Sequence, residues 1–266
     1  MTKPELNCFF SIGRRCNSTD FMTQFNMRKF SGPFDHVMID FETSLKIINT
    51  KFETFLCDIV VFNKDERKIE LLYNKYTTEI NKKFYELLEN DNIGYMAINK
   101  NNYTEIFNQN YIDDYKLNAN FYDWDTICNF HHHNLSEKNT YDIVKNRVDR
   151  FNNVFQKYNE TTCLFFITKI VSCDNIIDYM NKMIELKNQY GVHCFLIVIV
   201  TCDNLDDAHY YNELYKCLFI VKKVHSYIDQ YYNYLSDNNT SSVNYEKEYN
   251  VILEYFNLNL IEKNDL

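Results

Sequence analysis

Glycine and proline are scarce in this chain, with only four glycines and two prolines among its 266 residues. Few positions can therefore adopt left-handed turns at low energetic cost. Cysteine pairs at C-x-x-C spacing are absent as well, although the chain has nine cysteines, several of them within apolar runs. This odd count without paired spacing predicts reduced, buried thiols in a cytoplasmic protein, and it argues against a zinc site.

Long apolar segments and an excess of basic residues are also lacking. The longest apolar run, residues 195–200, is far too short to span a bilayer, and the first five residues contain no apolar signal segment. We therefore expect no signal peptide, no membrane insertion and a cytoplasmic location. Lys and Arg number 28 against 37 Asp and Glu, for a net charge of -9. This balance argues against a protein that binds nucleic acid mainly by contacts with the phosphates of the nucleic acid.

Apolar and aromatic residues are what the chain has in abundance. Hydrophobic residues make up 45% of it and aromatic residues 17%, which is enough for a sizeable core. Asn, Ile, Lys and Tyr are frequent, and because AT-rich codons encode them, we expect an AT-rich source genome such as that of a large DNA virus or a protist. No linker rich in Pro, Gly or Ser divides the sequence, so we predict one domain over residues 1–266.

Apolar runs alternate with amphipathic segments in the second half of the chain. Residues 140–158 and 174–190 have helical periodicity, and Gly191 would end the second helix as a C-terminal cap. Residues 205–215 are a further helix candidate. This alternation predicts an α/β domain with a mostly parallel sheet flanked by helices. The strands predicted in this region are residues 163–167, 193–200 and 217–221.

The first candidate site follows a short apolar strand and has the sequence Ser11-Ile12-Gly13-Arg14-Arg15-Cys16. Residues 17–30 have a helical pattern that Asn17 or Ser18 could cap, so the cysteine would stand at a helix entrance. The N–H groups there can hold an oxyanion or a phosphate, and a thiol beside them and beside two arginines ionises more readily. The simpler interpretation is a glycine turn with a buried cysteine and solvated arginines.

The second candidate site is the run of three histidines, His131, His132 and His133. In an extended segment they alternate between two faces, so at most two of them share a face, and a general base needs only one. Asp35, which ends the turn Ser31-Gly32-Pro33-Phe34-Asp35, could orient an imidazole as the third member of a catalytic triad. The simpler interpretations are an exposed polar loop for the histidines and a turn-stabilising carboxylate for Asp35.

Two arginines on the long predicted helix form a third feature. Arg147 and Arg150 are three residues apart and therefore share one helix face. They could pair with an anionic ligand or with carboxylates of the core. We favour a solvated face, which is the commoner position for such side chains.

The opening CFFSIGRRCNSTDFMTQFNMRKFSGPFDHVMIDFE, with the later histidine and arginine segments, resembles the putative papain-like cysteine peptidase family of bacteria and large DNA viruses. That family has a strand, S-[LI]-G-x-x-C, a helix and P-F-D-[WH], then a histidine segment, an R-x-x-R-F helix and a strand starting with L-F. Residues 7–56 match well and residues 128–200 more loosely. His36 replaces a common tryptophan, and Thr168-Lys169 stands where an arginine often follows the strand.

The resemblance implies a thiol nucleophile at Cys16, a base among the three histidines and Asp35 as an orienting group. It also implies a papain-like α+β fold, with a helix-rich half beside an antiparallel half, as the alternative to a parallel sheet. Ligands of α/β sheets bind beyond the carboxyl ends of strands, and the turn after residues 8–12 would lie there under either fold.

Three functions remain open on this evidence. The main hypothesis is a cofactor-free cysteine hydrolase or acyl transferase for a peptide, acyl or glycan-linked substrate. In it, Ser11, Gly13, Arg14 and Arg15 would bind the ligand. The second is a non-thiol binding or transferase domain for glycans or nucleotides, although no G-x-G-x-x-G or Walker motif supports it. The third is a catalytically silent interaction protein.

Overall fold

A five-stranded sheet is the centre of the computed structural model. The described residues are 2–13, 16–37, 39–53, 55–56, 59–63, 95–99, 130, 133, 135, 137–169, 176–202, 204–224 and 244–265. The strands are β1 (Glu5–Leu6), β2 (Cys8–Ser11), β3 (Ile59–Asn63), β4 (Tyr95–Asn99), β5 (Thr162–Lys169), β6 (Phe195–Cys202), β7 (Ala208–Asn212), β8 (Cys217–Lys223) and β9 (Asn257–Leu258). The helices are α1 (Asn17–Gln24), α2 (Phe41–Asn49), α3 (Lys138–Tyr158), α4 (Ile176–Gln189) and α5 (Glu246–Tyr255).

The central sheet has the strand order β2-β5-β6-β8-β7. Its first four strands are parallel neighbours, and β7 pairs antiparallel with β8 at the edge. Two smaller pairs lie outside it, β1 parallel to β9 and β3 antiparallel to β4. The chain thus has the expected mixture of a central sheet and helices. The expected parallel arrangement holds for the first four strands of the central sheet, but not for β7 or for the pair of β3 and β4.

The parallel strands are covered on both faces. All eight residues of β6 and all four of β2 are buried, as continuous apolar runs in such sheets require. Alternate residues of β2 point to opposite sides: Phe10 belongs to an apolar cluster with residues of α2, α3 and α4, whereas Phe9 belongs to a second cluster with residues of α1 and α5. Right-handed crossovers that step in one direction along a sheet place their helices on one face, which is where α3 and α4 lie.

The helices end and pack for identifiable reasons. Gly191 has a φ of 66°, and the N–H of Val192 donates to the carbonyl of Lys187, so the glycine cap predicted for α4 is confirmed. The helix α1 is shorter than predicted, because Asn26 adopts a φ of 54° and terminates it in the same way. Of the helices that the structure describes, none is long and apolar enough to cross a bilayer.

The helix predicted over residues 205–215 is wrong. Strand β7 occupies this segment and forms a hairpin with β8. The side chain of Asn212 accepts the N–H of Tyr215, and Lys216 takes a φ of 54°, so the intervening residues form a tight turn. Pairing with the neighbouring strand therefore outweighs the local helical pattern.

Candidate functional site

The turn after β2 has a backbone geometry that only glycine accepts. Gly13 has a φ of 115°, and a Cβ atom there would overlap Cγ2 of Ile39. Its N–H donates to the hydroxyl of Ser11 at 3.4 Å, and Ser11 is completely buried. The glycine turn lies at the carboxyl end of β2, and Cys16 follows it as the residue that precedes the first turn of α1.

Ser18 fastens the start of α1 to the ends of two strands. Its hydroxyl donates to the carbonyl of Gly13 at 3.2 Å and accepts the N–H of Ile167, in β5, at 2.9 Å. The prediction that Asn17 or Ser18 caps α1 is wrong, since Cys16 holds the cap position and Ser18 is engaged by the strands. The cysteine backbone is thereby fixed against the sheet.

The turn lies at the carboxyl end of β2, next to elements that pack on opposite faces of the sheet. After β2 the chain enters α1 on the face of Phe9, whereas α4, the helix after β5, packs on the face of Phe166. In α/β proteins, ligands bind beyond the carboxyl ends of the strands, and the turn lies at that end of β2. Helix α3 ends at Tyr158, just before β5 begins, so its other end and the preceding His133 lie at the same edge.

Cys16 differs from the other cysteines that the structure describes. It is half-buried, whereas the remaining five are buried: Cys8, Cys163, Cys194, Cys202 and Cys217. Burial raises the pKa of Cys8 and Cys217 to about 11 and that of Cys194 to about 12. It also raises the pKa of Cys163 well above its usual value. These four thiols stay protonated and unreactive near neutral pH, because the thiolate is the nucleophile.

Asp35 is a buried carboxylate that ties the 31–35 turn to α1. It forms an ion pair with Arg28, with oxygen and nitrogen 2.7 Å apart, and accepts the N–H of Gly32 at 2.9 Å. The hydroxyl of Thr19, in the first turn of α1, donates to its other oxygen at 3.4 Å. Its side chain is only 1% exposed. The carboxylate therefore stabilises the turn, as the simpler interpretation has it, and holds that turn against the helix that starts after Cys16.

His133 contacts the backbone of Asp35 rather than its carboxylate. Its Nε2 lies 3.1 Å from the carbonyl oxygen of Asp35 and 3.3 Å from Nη1 of Arg147, and the residue is buried. A carbonyl only accepts and a guanidinium only donates, so one nitrogen cannot satisfy both. If Nε2–H donates to the carbonyl, Nδ1 is left as the proton acceptor of the ring.

The two arginines of α3 do not form a solvated face. Both are half-buried; Arg147 lies against His133, and Nη1 of Arg150 donates to the carbonyl of Ser31 at 3.3 Å. The preference for a solvated face is therefore wrong. Removal from water lowers the pKa of Arg147, the charge of Asp35 raises it, and the charges of Arg28 and Arg150 lower it further.

Several residues of the candidate site lie outside the described residues, namely Arg14, Arg15, His131 and His132. The structure thus brings together Asp35, His133 and the start of α1. Within the described part of the chain, no group of three or more His, Cys, Asp or Glu side chains is placed to hold a metal ion.

Comparison with known families assigns this chain. A family model described as putative papain-like cysteine peptidase matches residues 7–205, about three quarters of the sequence. The chain belongs to the putative papain-like cysteine peptidase family. The match includes Cys16, Asp35 and His133, and it ends before β7 and β8. No curated protein matches the chain.

Three residues of this cluster were not expected from the sequence. Arg28 and Thr19 bind the Asp35 carboxylate. Ser31 accepts a hydrogen bond from Arg28 at its hydroxyl and one from Arg150 at its carbonyl. The only available signal was an arginine close to the P-F-D segment, and this position alone does not reveal its partner.

Proposed function

We propose that the protein is a cysteine hydrolase or acyl transferase in which Cys16 is the nucleophile and His133 the base. The observation that supports this most is the buried imidazole held on the Asp35 carbonyl, because Asp35 also binds Thr19, three residues after Cys16. One short chain of contacts thus links the imidazole to the start of α1. Membership of a family described as cysteine peptidases supports the same chemistry.

In the proposed reaction, the sulfur of Cys16 attacks an acyl carbon while Nδ1 of His133 takes the thiol proton. Nε2–H donates to the Asp35 carbonyl and keeps the ring in the required tautomer. Backbone N–H groups at the start of α1 stabilise the oxyanion. The imidazolium then protonates the leaving group, and water or another acceptor takes the acyl group from sulfur with the same base assisting.

Asp35 is a positioning residue in this proposal. Its carbonyl sets the orientation of His133, and its carboxylate keeps the turn that carries this carbonyl against α1. The substrates we propose are peptides or other acyl compounds, since each offers the carbon that a thiolate attacks.

The order in which cysteines react tests the proposal. The protein is treated with iodoacetamide at pH 7, and alkylation is followed at each cysteine by peptide mass spectrometry. We expect Cys16 to react first and at least about tenfold faster than Cys163 and Cys194, whose burial suppresses the thiolate. The Cys16→Ser variant should lack the fast reaction. Slow alkylation of Cys16, at the rate of the buried thiols, would refute the thiol enzyme.

A further inference from the structure

Arg147 touches the proposed base but has no carboxylate partner among the described residues. Its Nη1 lies 3.3 Å from Nε2 of His133, and its side chain is half-buried. The nearby carboxylate of Asp35 is already bound by Arg28, Gly32 and Thr19. Within the described part of the chain, the charge of Arg147 is therefore not balanced by an ion pair.

The surroundings of Arg147 are positive in a chain that is negative as a whole. The guanidinium groups of Arg28 and Arg150 both donate to Ser31 and lie close enough for their charges to act on that of Arg147. Among the described residues, two carboxylates face these three guanidinium groups: Asp35, whose charge acts on Arg147, and Asp20, which interacts with Arg28. The net charge of the chain is -9. Burying a cation without a counter-charge is unfavourable, so a partly buried positive cluster in an acidic protein fits a site that an anion completes.

We infer that Arg147, with Arg150 beside it, binds an anionic group of the substrate, a carboxylate or a phosphate. The planar guanidinium fork suits both groups, because it can give two parallel N–H bonds to their oxygens. The inference rests on the proposed function, since Arg147 borders the histidine that acts there as the base. The substrate would then be an acyl compound with a negative charge close to the bond that is broken.

Two alkylating reagents test the inference directly. Iodoacetate and iodoacetamide transfer almost the same group to sulfur with the same leaving iodide, but only iodoacetate carries a negative charge. The ratio of their rates at Cys16, each compared with its rate on free cysteine, reports the local preference for an anion. We expect a raised ratio that falls about three- to tenfold in Arg147→Gln, the effect of one nearby charge.

The variants distinguish a charge that binds the reagent at the site from the general effect of removing a positive charge from the protein. Arg147→Lys keeps the charge and should retain most of the preference, whereas Lys145→Gln removes an exposed charge from the same helix and should leave the ratio unchanged. Slow labelling of Cys163 and Cys194 shows that each variant is folded. Should Arg147→Gln fail to fold, Arg150→Gln serves instead, and its ratio should also fall.

Failure of the inference differs from failure of the proposed function. If Cys16 reacts as slowly as the buried thiols with both reagents, the thiol enzyme and the anion site fall together. If Cys16 reacts fast but its ratio is unaffected by the arginine variants, only the anion site is refuted.

Competition at constant ionic strength identifies the anion. Stronger slowing of iodoacetate by inorganic phosphate than by acetate assigns a phosphate, and the reverse assigns a carboxylate. Absence of slowing by either anion overturns the inference.

Discussion

Asp35 contributes to the candidate site through both its side chain and its backbone. Its carboxylate is buried against Arg28, Gly32 and Thr19, while its carbonyl holds His133. The same residue thus stabilises a turn with its side chain and orients an imidazole with its backbone. Loss of its side chain would therefore affect both the fold and the orientation of His133, the proposed base.

We expect Asp35→Ala to lower the free energy of unfolding by about 3 kcal/mol, because it leaves the guanidinium of Arg28 without its buried partner. Urea denaturation measures this. Asp142→Ala is the matched control, because it removes an exposed ion pair with Lys138. It should lower the free energy of unfolding by only about 0.3 kcal/mol. Equal losses in the two variants would contradict the structural role given to Asp35.

Gly13 fixes the position of the turn that leads to Cys16. We expect Gly13→Ala to destabilise the protein by about 3 kcal/mol, since a side chain there is strained at this φ and collides with Ile39. Gly191→Ala has the strain but open space around its Cβ, so it should cost about 1 kcal/mol. Thermal or urea unfolding compares them, and a similar cost at both glycines would show that the contact with Ile39 is unimportant.

The sequence names residues of the candidate site, but it does not reveal their contacts. Cys16, Asp35 and a histidine run stood out as residue types near a turn, but three adjacent histidines are equivalent in a pattern. The contact of His133 with the Asp35 carbonyl joins positions 98 residues apart. No local rule relates such distant positions, and the contacts of Arg28 with Asp35 and of Arg147 with His133 could not be predicted for the same reason.

At the scale of elements, α3 shows which part of an apolar stripe faces the core. Val144, Val148, Phe151 and Val154 are buried, whereas Ile143, beside them in the sequence pattern, is 43% exposed. Phe151 packs its ring against Phe10 of β2. The helix therefore presses on the strand that carries the candidate site.

We expect Phe151→Ala to destabilise the protein by about 4 kcal/mol, because it leaves a cavity between α3 and the sheet. Ile143→Ala, on the same helix, should cost less than about 1 kcal/mol. Urea denaturation followed by circular dichroism measures both. A large loss at Ile143 would mean that the exposed side of α3 is covered.

Element boundaries were predictable where one strong pattern decided them. The runs of β5, β6 and β8 and the Gly191 cap follow directly from apolar residues and a glycine. Strand β7 was not predictable, because exposed residues such as His209 and Tyr210 fit a helix as well as an edge strand. Its hydrogen bonds to β8 favour the strand, and these are tertiary contacts that the local sequence pattern does not reveal.

At the scale of the whole molecule, the parallel sheet explains where the site lies. Four strands that point the same way bring their carboxyl ends to one edge, and Cys16 follows the turn at that end of β2. Burial on both faces also surrounds the remaining thiols with apolar atoms. Among the described cysteines, the fold therefore leaves Cys16 half-buried and buries the other five.

The buried thiols should make the protein unstable in alkali. Their pKa values are raised in the folded state, so the unfolded chain, with thiol pKa values near 8.5, loses these protons first. Their stabilising effect is complete below about pH 8.5 and declines as pH rises toward the folded values of about 11 to 12.

Each such thiol should lower the free energy of unfolding by about 1.4 kcal/mol per pH unit in that window. Urea denaturation between pH 8 and pH 9.5 measures the slope. In the Cys194→Ala variant, this slope should be smaller by the contribution of one thiol. A slope equal to that of the unsubstituted protein would contradict the burial of Cys194.

The dependence of Cys16 alkylation on His133 tests the central claim most directly. The rate of reaction of Cys16 with iodoacetamide is measured at pH 6 to 7 in the unsubstituted protein, in His133→Ala, and in a control that lacks an exposed imidazole, His193→Ala. If the imidazole activates the thiol, the rate should fall by about tenfold or more in His133→Ala and stay unchanged in His193→Ala. Identical rates in all three proteins would contradict the account.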